Sequence, residues 1–304
     1  MKPRILITGG SGLLAINWVK MLHDSYSVIL CLHNRVIDIP GVETKKINLD
    51  SIDHLVRTFE SFKPDIVVHT ASLTNVEKCE SAPALAQYIN VTLAENVAKA
   101  TAQLGISLVH ISSDHLFSGK KLLVGENSPV DPVNVYGRTK AEAESRVIEA
   151  HPESLVIRTN FYGWGTSYRR SFSDIIIESL RAGNELTLFQ DVFYTPILIE
   201  TLVNTVHDLV KHKSNGIFHV VGVDRISKYD FGLMLAERFN LDASLISPGN
   251  ISDQPSLVQR PHDMSLSNNK IVNLFGRIIG SVSDDIEKLF LEESKGFTQE
   301  LLRL

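Results

Sequence analysis

A strand-like apolar run, Ile5-Leu-Ile-Thr8, breaks on Gly9-Gly-Ser-Gly12, and apolar residues then recur at helical spacing from Leu13 to His23. A buried strand that turns on glycines straight into a helix is the opening unit of a parallel α/β sheet. The alternation continues down the chain. Ser27 to Leu32 reads as a second strand, Asp53 to Phe62 as a helix, and Asp65-Ile-Val-Val-His69 as a strand introduced by Pro64. Ala82 to Leu104 reads as one long helix with Pro83 near its start, Ser107 to Ile111 as a strand, Lys140 to Glu149 as a helix and Leu155 to Ile157 as another strand. Regular strand-helix alternation of this kind predicts an α/β fold with a doubly wound parallel sheet.

After Arg158 the rhythm weakens into the irregular loop from Phe161 to Tyr168, a helical stretch from Ser171 to Ala182 and a short strand over Leu186 to Phe189. Ile199 to Lys211 is again helical and Ile217 to Val221 strand-like. The expected division is a dinucleotide-binding domain over residues 1–160, to which 190–222 returns, and a smaller discontinuous lobe over 161–189 and 223–304. With 304 residues the chain can bury a sizeable core. Its net charge of −5 and scattered Lys and Arg provide no basic field, so no nucleic-acid partner is expected. Two cysteines, Cys31 and Cys79, make neither a disulfide framework nor a zinc pattern and fit a reducing cytoplasm. The N-terminal apolar run meets glycine before a signal-peptide core could form, and no 18-residue apolar stretch follows, so no membrane partner is expected either.

Gly9, Gly12 and Ala15 make a GxxGxxA spacing between strand and helix. Glycines there let the backbone approach a pyrophosphate, whose charge is favoured by amides at the helix N-terminus, so Gly9, Ser11, Gly12, Leu13 and Leu14 are the expected phosphate cradle. The end of the second strand carries His33-Asn34-Arg35 where a carboxylate would select NAD. Arg35 can pair with a 2′-phosphate through its planar fork, which favours NADP while leaving NAD possible. Asp50, after a third strand, is either an acceptor for the adenine amino group or a helix N-cap. Small residues Thr70, Ala71 and Ser72 follow the fourth strand at its carboxyl end, where the crevice of an open α/β sheet leaves room for a cofactor.

Tyr136 and Lys140 stand four residues apart in Asn134-Val-Tyr-Gly-Arg-Thr-Lys140, on one helix face, where an ammonium can favour the ionised phenol. Together with the glycine turn and the pair Ser112-Ser113, this points to hydride-transfer chemistry. His69, His110 and His115 lack a metal-ligand spacing and read as packing residues, so no metal is expected.

The Gly9 turn, Asp65-Ile-Val-Val-His-Thr-Ala-Ser72, Ile111-Ser-Ser-Asp-His-Leu-Phe-Ser-Gly119, Pro132 to Lys140, Arg158-Thr-Asn-Phe-Tyr-Gly163 and Arg260-Pro261 together resemble the extended short-chain dehydrogenase/reductases. Within them the chain is most similar to the dTDP-4-dehydrorhamnose reductase group, over about residues 1 to 270. The resemblance implies a Rossmann-type sheet with a substrate lobe, and Ser113, Tyr136 and Lys140 as the catalytic residues. Tyr136 would be the proton donor, Lys140 its partner and the holder of the nicotinamide ribose, and Ser113, or alternatively Ser112, the hydroxyl that restrains the substrate oxygen. Asn90 resembles the asparagine that braces the central helix, and a mid-helix asparagine needs such a hydrogen-bonding reason. Asp114, Asn160, Phe161 and Arg260 join Ser112 as expected substrate contacts.

The group's Asp-Tyr-Val-Phe is Asp114-His-Leu-Phe117 here, and its Asp-Gln-Phe-Gly-x-Pro-Thr is Asp191-Val-Phe-Tyr-Thr-Pro-Ile197, which moves the expected sugar away from rhamnose itself. The expected protein is an NADP-dependent reductase of a 4-keto-6-deoxy nucleotide sugar, acting as a cytoplasmic homodimer. A nucleotide-sugar epimerase and a non-catalytic NADP-binding regulatory subunit are the alternatives, because one fold serves several functions.

Overall fold

The computed structural model describes residues 2–304. Strands β1 (Arg4–Thr8), β2 (Ser27–Leu32), β3 (Glu43–Lys46), β4 (Ile66–His69), β5 (Ser107–Ile111) and β6 (Leu155–Arg158) join a later strand, Gly216–His219, in one seven-stranded parallel sheet. In chain order the sheet runs third, second, first, fourth, fifth, sixth and then that later strand, so the order reverses between β1 and β4. Ligands of such open sheets bind outside the carboxyl ends of the strands at that reversal.

Helices α1 (Leu13–Leu22), α2 (Ile52–Phe62), α3 (Val76–Ser81), α4 (Pro83–Gln87), α5 (Leu93–Leu104) and α6 (Val135–Ala150) connect these strands. Leu6, Ile29, Val67, Leu108 and Val156 come from five adjacent strands and pack with Leu55 and Phe59 of α2, Val97 of α5 and Val147 of α6. Burying each such side chain stabilises the fold by about 1.5–3 kcal/mol. The single helix expected over Ala82 to Leu104 is instead two α-helices separated by a wide five-residue π turn, Tyr88–Thr92, that carries Asn90. A π turn of this kind gains its place from side-chain contacts that an unbroken α-helix would misalign. Helix α6 begins at Val135, five residues before the expected start, because Asn134 caps it: Asn134 Oδ1 accepts from the Gly137 amide at 2.8 Å.

The chain divides into two compact units. The first holds residues 1–116, 132–158 and 207–218, and the second 117–131, 159–206 and 219–304. Of the stretch 190–222, residues 207–218 fall in the first unit, and residues 117–131 fall in the second.

The second unit contains β7 (Phe161–Tyr162), α7 (Phe172–Arg181), β8 (Leu186–Phe189), β9 (Phe193–Tyr194), β10 (Ile197–Leu198), β12 (Ile226–Ser227), α9 (Lys228–Arg238), β13 (Ile246–Gly249), α10 (Asn269–Phe275), α11 (Val282–Ser294) and α12 (Phe297–Leu302). Between its β10 and the later sheet strand, β11 (Gly216–His219), runs α8 (Ile199–Lys211). The short strands pair two by two, β7 with β10, β8 with β13 and β9 with β12. Their core is aromatic: Phe231 of α9 meets Tyr162, Phe172 and Tyr194 at ring separations of 4.9, 6.0 and 6.0 Å. Ser171 and Asp174 form a reciprocal capping box that starts α7.

Candidate active site

The carboxyl end of β1 sets the first half of the site. Gly9 has a φ of +69°, and a Cβ there would lie 2.8 Å from the Ala71 amide nitrogen. A Cβ on Gly10 would lie 2.9 Å from the Cys31 carbonyl oxygen, to which the Gly10 amide donates at 2.9 Å. The turn therefore closes on the ends of β2 and β4 only because it lacks side chains. Gly12 is the N-cap of α1 and provides no side-chain hydrogen bond, so the first amides of α1, at Leu13 and Leu14, have no side-chain cap. A pyrophosphate fits a cradle of this form. His33, Asn34 and Arg35 are all exposed just past β2. Ser51 rather than Asp50 caps α2, which corrects the N-cap expectation, and Tyr88 Oη donates to the Asp50 carboxylate.

The segment after β4 is held by one residue. Asn90 Oδ1 accepts from Ser72 Oγ at 2.8 Å and from the Leu73 amide at 2.7 Å, while its Nδ2 donates to Leu73 O at 3.2 Å and Thr139 Oγ1 at 3.0 Å. The asparagine thus ties the 70–73 segment to α6, with every polar atom used. Thr70 Oγ1 donates to the Thr8 carbonyl at 2.6 Å, which joins the end of β4 to the glycine turn.

Beyond β5, Ser112, Ser113 and Asp114 are buried, and α6 runs past them. Gly137 permits this approach, since a Cβ on it would stand 2.3 Å from the His115 carbonyl oxygen. Tyr136 is 9% exposed, and its hydroxyl shares a hydrogen bond with Ser113. Ser113 Oγ also donates to Asp114 Oδ1 at 3.2 Å and accepts from the His115 amide at 3.2 Å. The His115 ring meets the Tyr136 ring edge-on, with centroids 5.4 Å apart. Lys140 is 2% exposed and donates to the Ile111 carbonyl at 2.7 Å. Ser113, Tyr136 and Lys140 therefore gather at the carboxyl end of β5, whereas the Ser112 hydroxyl turns away to donate to Glu144 at 2.5 Å.

The protonation of this cluster departs from the expectation of an acidified phenol. Burial pushes the Tyr136 hydroxyl up to about 12, and Asp114 and Cys79 add to the rise against the lowering effect of the Ser113 hydrogen bond. Burial pulls Lys140 down to about 8, and the nearby Glu144 carboxylate opposes the fall. Lys140 is not among the causes of this rise, and its ammonium is turned to the Ile111 carbonyl. The phenol is consequently a protonated donor at neutral pH.

His69 and His110 face each other across β4 and β5 with ring centroids 5.5 Å apart. Burial, then the Lys140 charge, lowers His69 to about 3 and His110 well below its usual value, so both are neutral packing groups. Among the described residues no group of three or more His, Cys, Asp or Glu is arranged to hold a metal ion, and no helix is long and apolar enough to cross a membrane.

Asn160, Phe161 and Arg260 belong to the second unit. There Asn160 O accepts from the Ile197 amide at 3.1 Å, Phe161 pairs with Ile197 in the β7–β10 ladder, and all three residues are half-buried.

Four residues that hold the site together carried no role in the sequence reading: Gly137, Thr139, Glu144 and Arg158. Glu144 lies four residues beyond Lys140, so its place on the same helix face was visible in the spacing. The close approach at Gly137 had no local signal.

Residues 1–294 match the family described as RmlD substrate binding domain. Among curated proteins, the chain is 27% identical to the probable low-salt glycan biosynthesis reductase Agl14 of Haloferax volcanii, covering 93% of this chain and 96% of that protein. It is 29% identical to the methionine adenosyltransferase 2 subunit beta of Xenopus laevis, over 88% of this chain and 81% of that protein. Among solved structures, the dTDP-4-dehydrorhamnose reductase of Bacillus anthracis in complex with NADP superposes with a TM-score of 0.85 at 25% identity, covering 96% of this chain and all of that one.

Proposed function

The chain belongs to the RmlD substrate binding domain family, and on that premise we propose that it is an NADP-dependent reductase of a 4-keto-6-deoxy nucleotide sugar. One observation carries the reading: Ser113, Tyr136 and Lys140 are buried together at the carboxyl end of β5, on the same edge of the sheet as the glycine turn, which leaves an α-helix N-terminus without a side-chain cap. The Bacillus anthracis reductase, whose structure contains NADP, supports it.

Gly9, Ser11, Gly12, Leu13 and Leu14 would hold the pyrophosphate, Arg35 with His33 and Asn34 the adenosine phosphate, and Thr70, Ala71, Ser72, Tyr136 and Lys140 the nicotinamide riboside. When bound, the cofactor supplies a hydride for the carbonyl carbon. Tyr136 donates its proton to the carbonyl oxygen, for which a phenol kept protonated by burial is suited. Ser113 orients that oxygen, and Lys140, fixed against the Ile111 carbonyl, would hold the nicotinamide ribose. Asp114 is a proposed substrate contact of the first unit, and Asn160, Phe161 and Arg260 are proposed substrate contacts of the second, each taken by itself; His115, which meets the Tyr136 ring where the reductase group has tyrosine, argues for a sugar other than rhamnose.

A second reading is a non-catalytic NADP-binding regulatory subunit. It is favoured by the 29% identity to a protein named as a subunit of methionine adenosyltransferase. The test is a panel of nucleotide-linked 4-keto-6-deoxy sugars with NADPH, its oxidation followed by absorbance. Turnover of any member supports the reductase. NADPH binding without turnover of any ketone supports the regulator, and isomerised product without net NADPH use supports an epimerase.

A further inference from the structure

Lys140, Glu144 and Arg158 are three charged side chains that are 2%, 3% and 3% exposed. They come from α6 and the end of β6. Glu144 Oε1 accepts from Ser112 Oγ at 2.5 Å and from Arg158 Nε at 2.9 Å, and Oε2 accepts from Arg158 Nε at 3.1 Å and Nη2 at 2.7 Å. The carboxylate is thus met by a two-pronged guanidinium on one side and a serine hydroxyl on the other. The Ser112 amide in turn donates to the Ile157 carbonyl at 2.7 Å. Residue 112 is consequently tied to α6 by its side chain and to β6 by its backbone. Its neighbours on either side carry the two contacts that matter for chemistry: the Ile111 carbonyl that receives Lys140 and the Ser113 hydroxyl that meets Tyr136.

We propose that Glu144 is the positioning residue of this centre, clamping the Ile111–Ser113 turn between α6 and Arg158 so that the Lys140 ammonium and the Ser113 hydroxyl stand in register around Tyr136. The proposal rests on the reductase reading of Tyr136. A fully buried ion pair is a poor device for stability alone, since well-packed apolar residues commonly serve as well, whereas its directional bonds define one geometry. The clamp also acts by charge. Around Lys140 stand Glu144 and Tyr136 on its own helix, His69 of β4, His110 of β5 and, behind Glu144, Arg158 of β6. Both imidazoles are neutral, so Glu144 is the negative charge among them, and it opposes the fall of Lys140 to about 8.

The test uses two variants of the full chain. In Glu144→Gln the carboxylate is lost while Arg158 stays; in Glu144→Gln/Arg158→Met both charges go, which guards against unfolding around an unpaired buried guanidinium. The Lys140 midpoint is read by lysine NMR in the protein without substrate, and kcat and KM with NADPH and the ketone. We expect Glu144→Gln to lower the Lys140 midpoint by about one unit, a tenfold change in its ammonium-to-amine ratio. In both variants kcat falls about tenfold, with KM for NADPH within about threefold of the parent, as expected when positioning rather than binding is lost. A double variant that melts with the parent and keeps the parental kcat, or a folded Glu144→Gln with an unmoved Lys140 midpoint, overturns the clamp. A parent protein that reduces no ketone counts against the reductase reading alone, because the NMR titration is read without turnover.

Discussion

Tyr136 and Lys140 are buried groups whose proton affinities move in opposite directions, the phenol up to about 12 and the amine down to about 8. The phenol therefore keeps its proton across the working range, and the group that titrates is Lys140, charged below about pH 8 and neutral above it. We predict a kcat/KM for ketone reduction that is level from about pH 6 to 7.5 and then falls, approaching tenfold per unit above about pH 8. A level profile to pH 10 would remove Lys140 charge from the reaction. Arg35, exposed beyond β2 with no carboxylate in the adjoining His33-Asn34, is the expected discriminator between cofactors. For Arg35→Ala, NADPH binding should weaken about tenfold or more while NADH binding changes little, measured by cofactor fluorescence. Equal losses for both cofactors would place the 2′-phosphate elsewhere. The residue types of this site were legible in the sequence, but their protonation was not: the i, i+4 spacing puts an ammonium near a phenol, and only burial decides which of them titrates.

Helix α6 is the element that brings the site together, and three residues determine its seat. Asn134 caps it through the Gly137 amide, and Glu80 Oε2 accepts from the Val135 amide at 2.9 Å, so the helix begins early enough to carry Tyr136 in its first turn. Gly137 lets that turn lie against the His115 carbonyl. Asn134→Ala should cost about 1 kcal/mol in thermal or denaturant unfolding, the usual loss of a side-chain cap. Gly137→Ala should cost more, about 1–3 kcal/mol, because its methyl meets backbone. Equal stability of Gly137→Ala and the parent would show that the segment at 113–116 can retreat. Most elements were readable from periodicity, as β2, β5 and β8 were to the residue. The π turn was not, because Tyr88–Thr92 widens for the partners of Asn90, which lie at Ser72, Leu73 and Thr139, far along the chain.

At the scale of the molecule, the chain crosses between its two units more often than pattern alone discloses. Residues 117–131 join the second unit through contacts such as the bridge between Val124 and Leu266, and 207–218 return to the first, where His207 accepts from Trp18 Nε1 at 3.0 Å. Such assignments depend on pairings more than a hundred residues apart, for which hydrophobic period carries no information. Family membership spans residues 1–294 and thus both units, while the roles of individual residues remain those proposed from the geometry of each. The proposal that Tyr136 supplies the proton in nucleotide-sugar ketone reduction is tested most directly by comparing turnover of Tyr136→Phe with the parent at matched NADPH occupancy. We predict a fall of about a thousandfold in kcat with NADPH affinity nearly intact. A variant that turns over within a few-fold of the parent would contradict it.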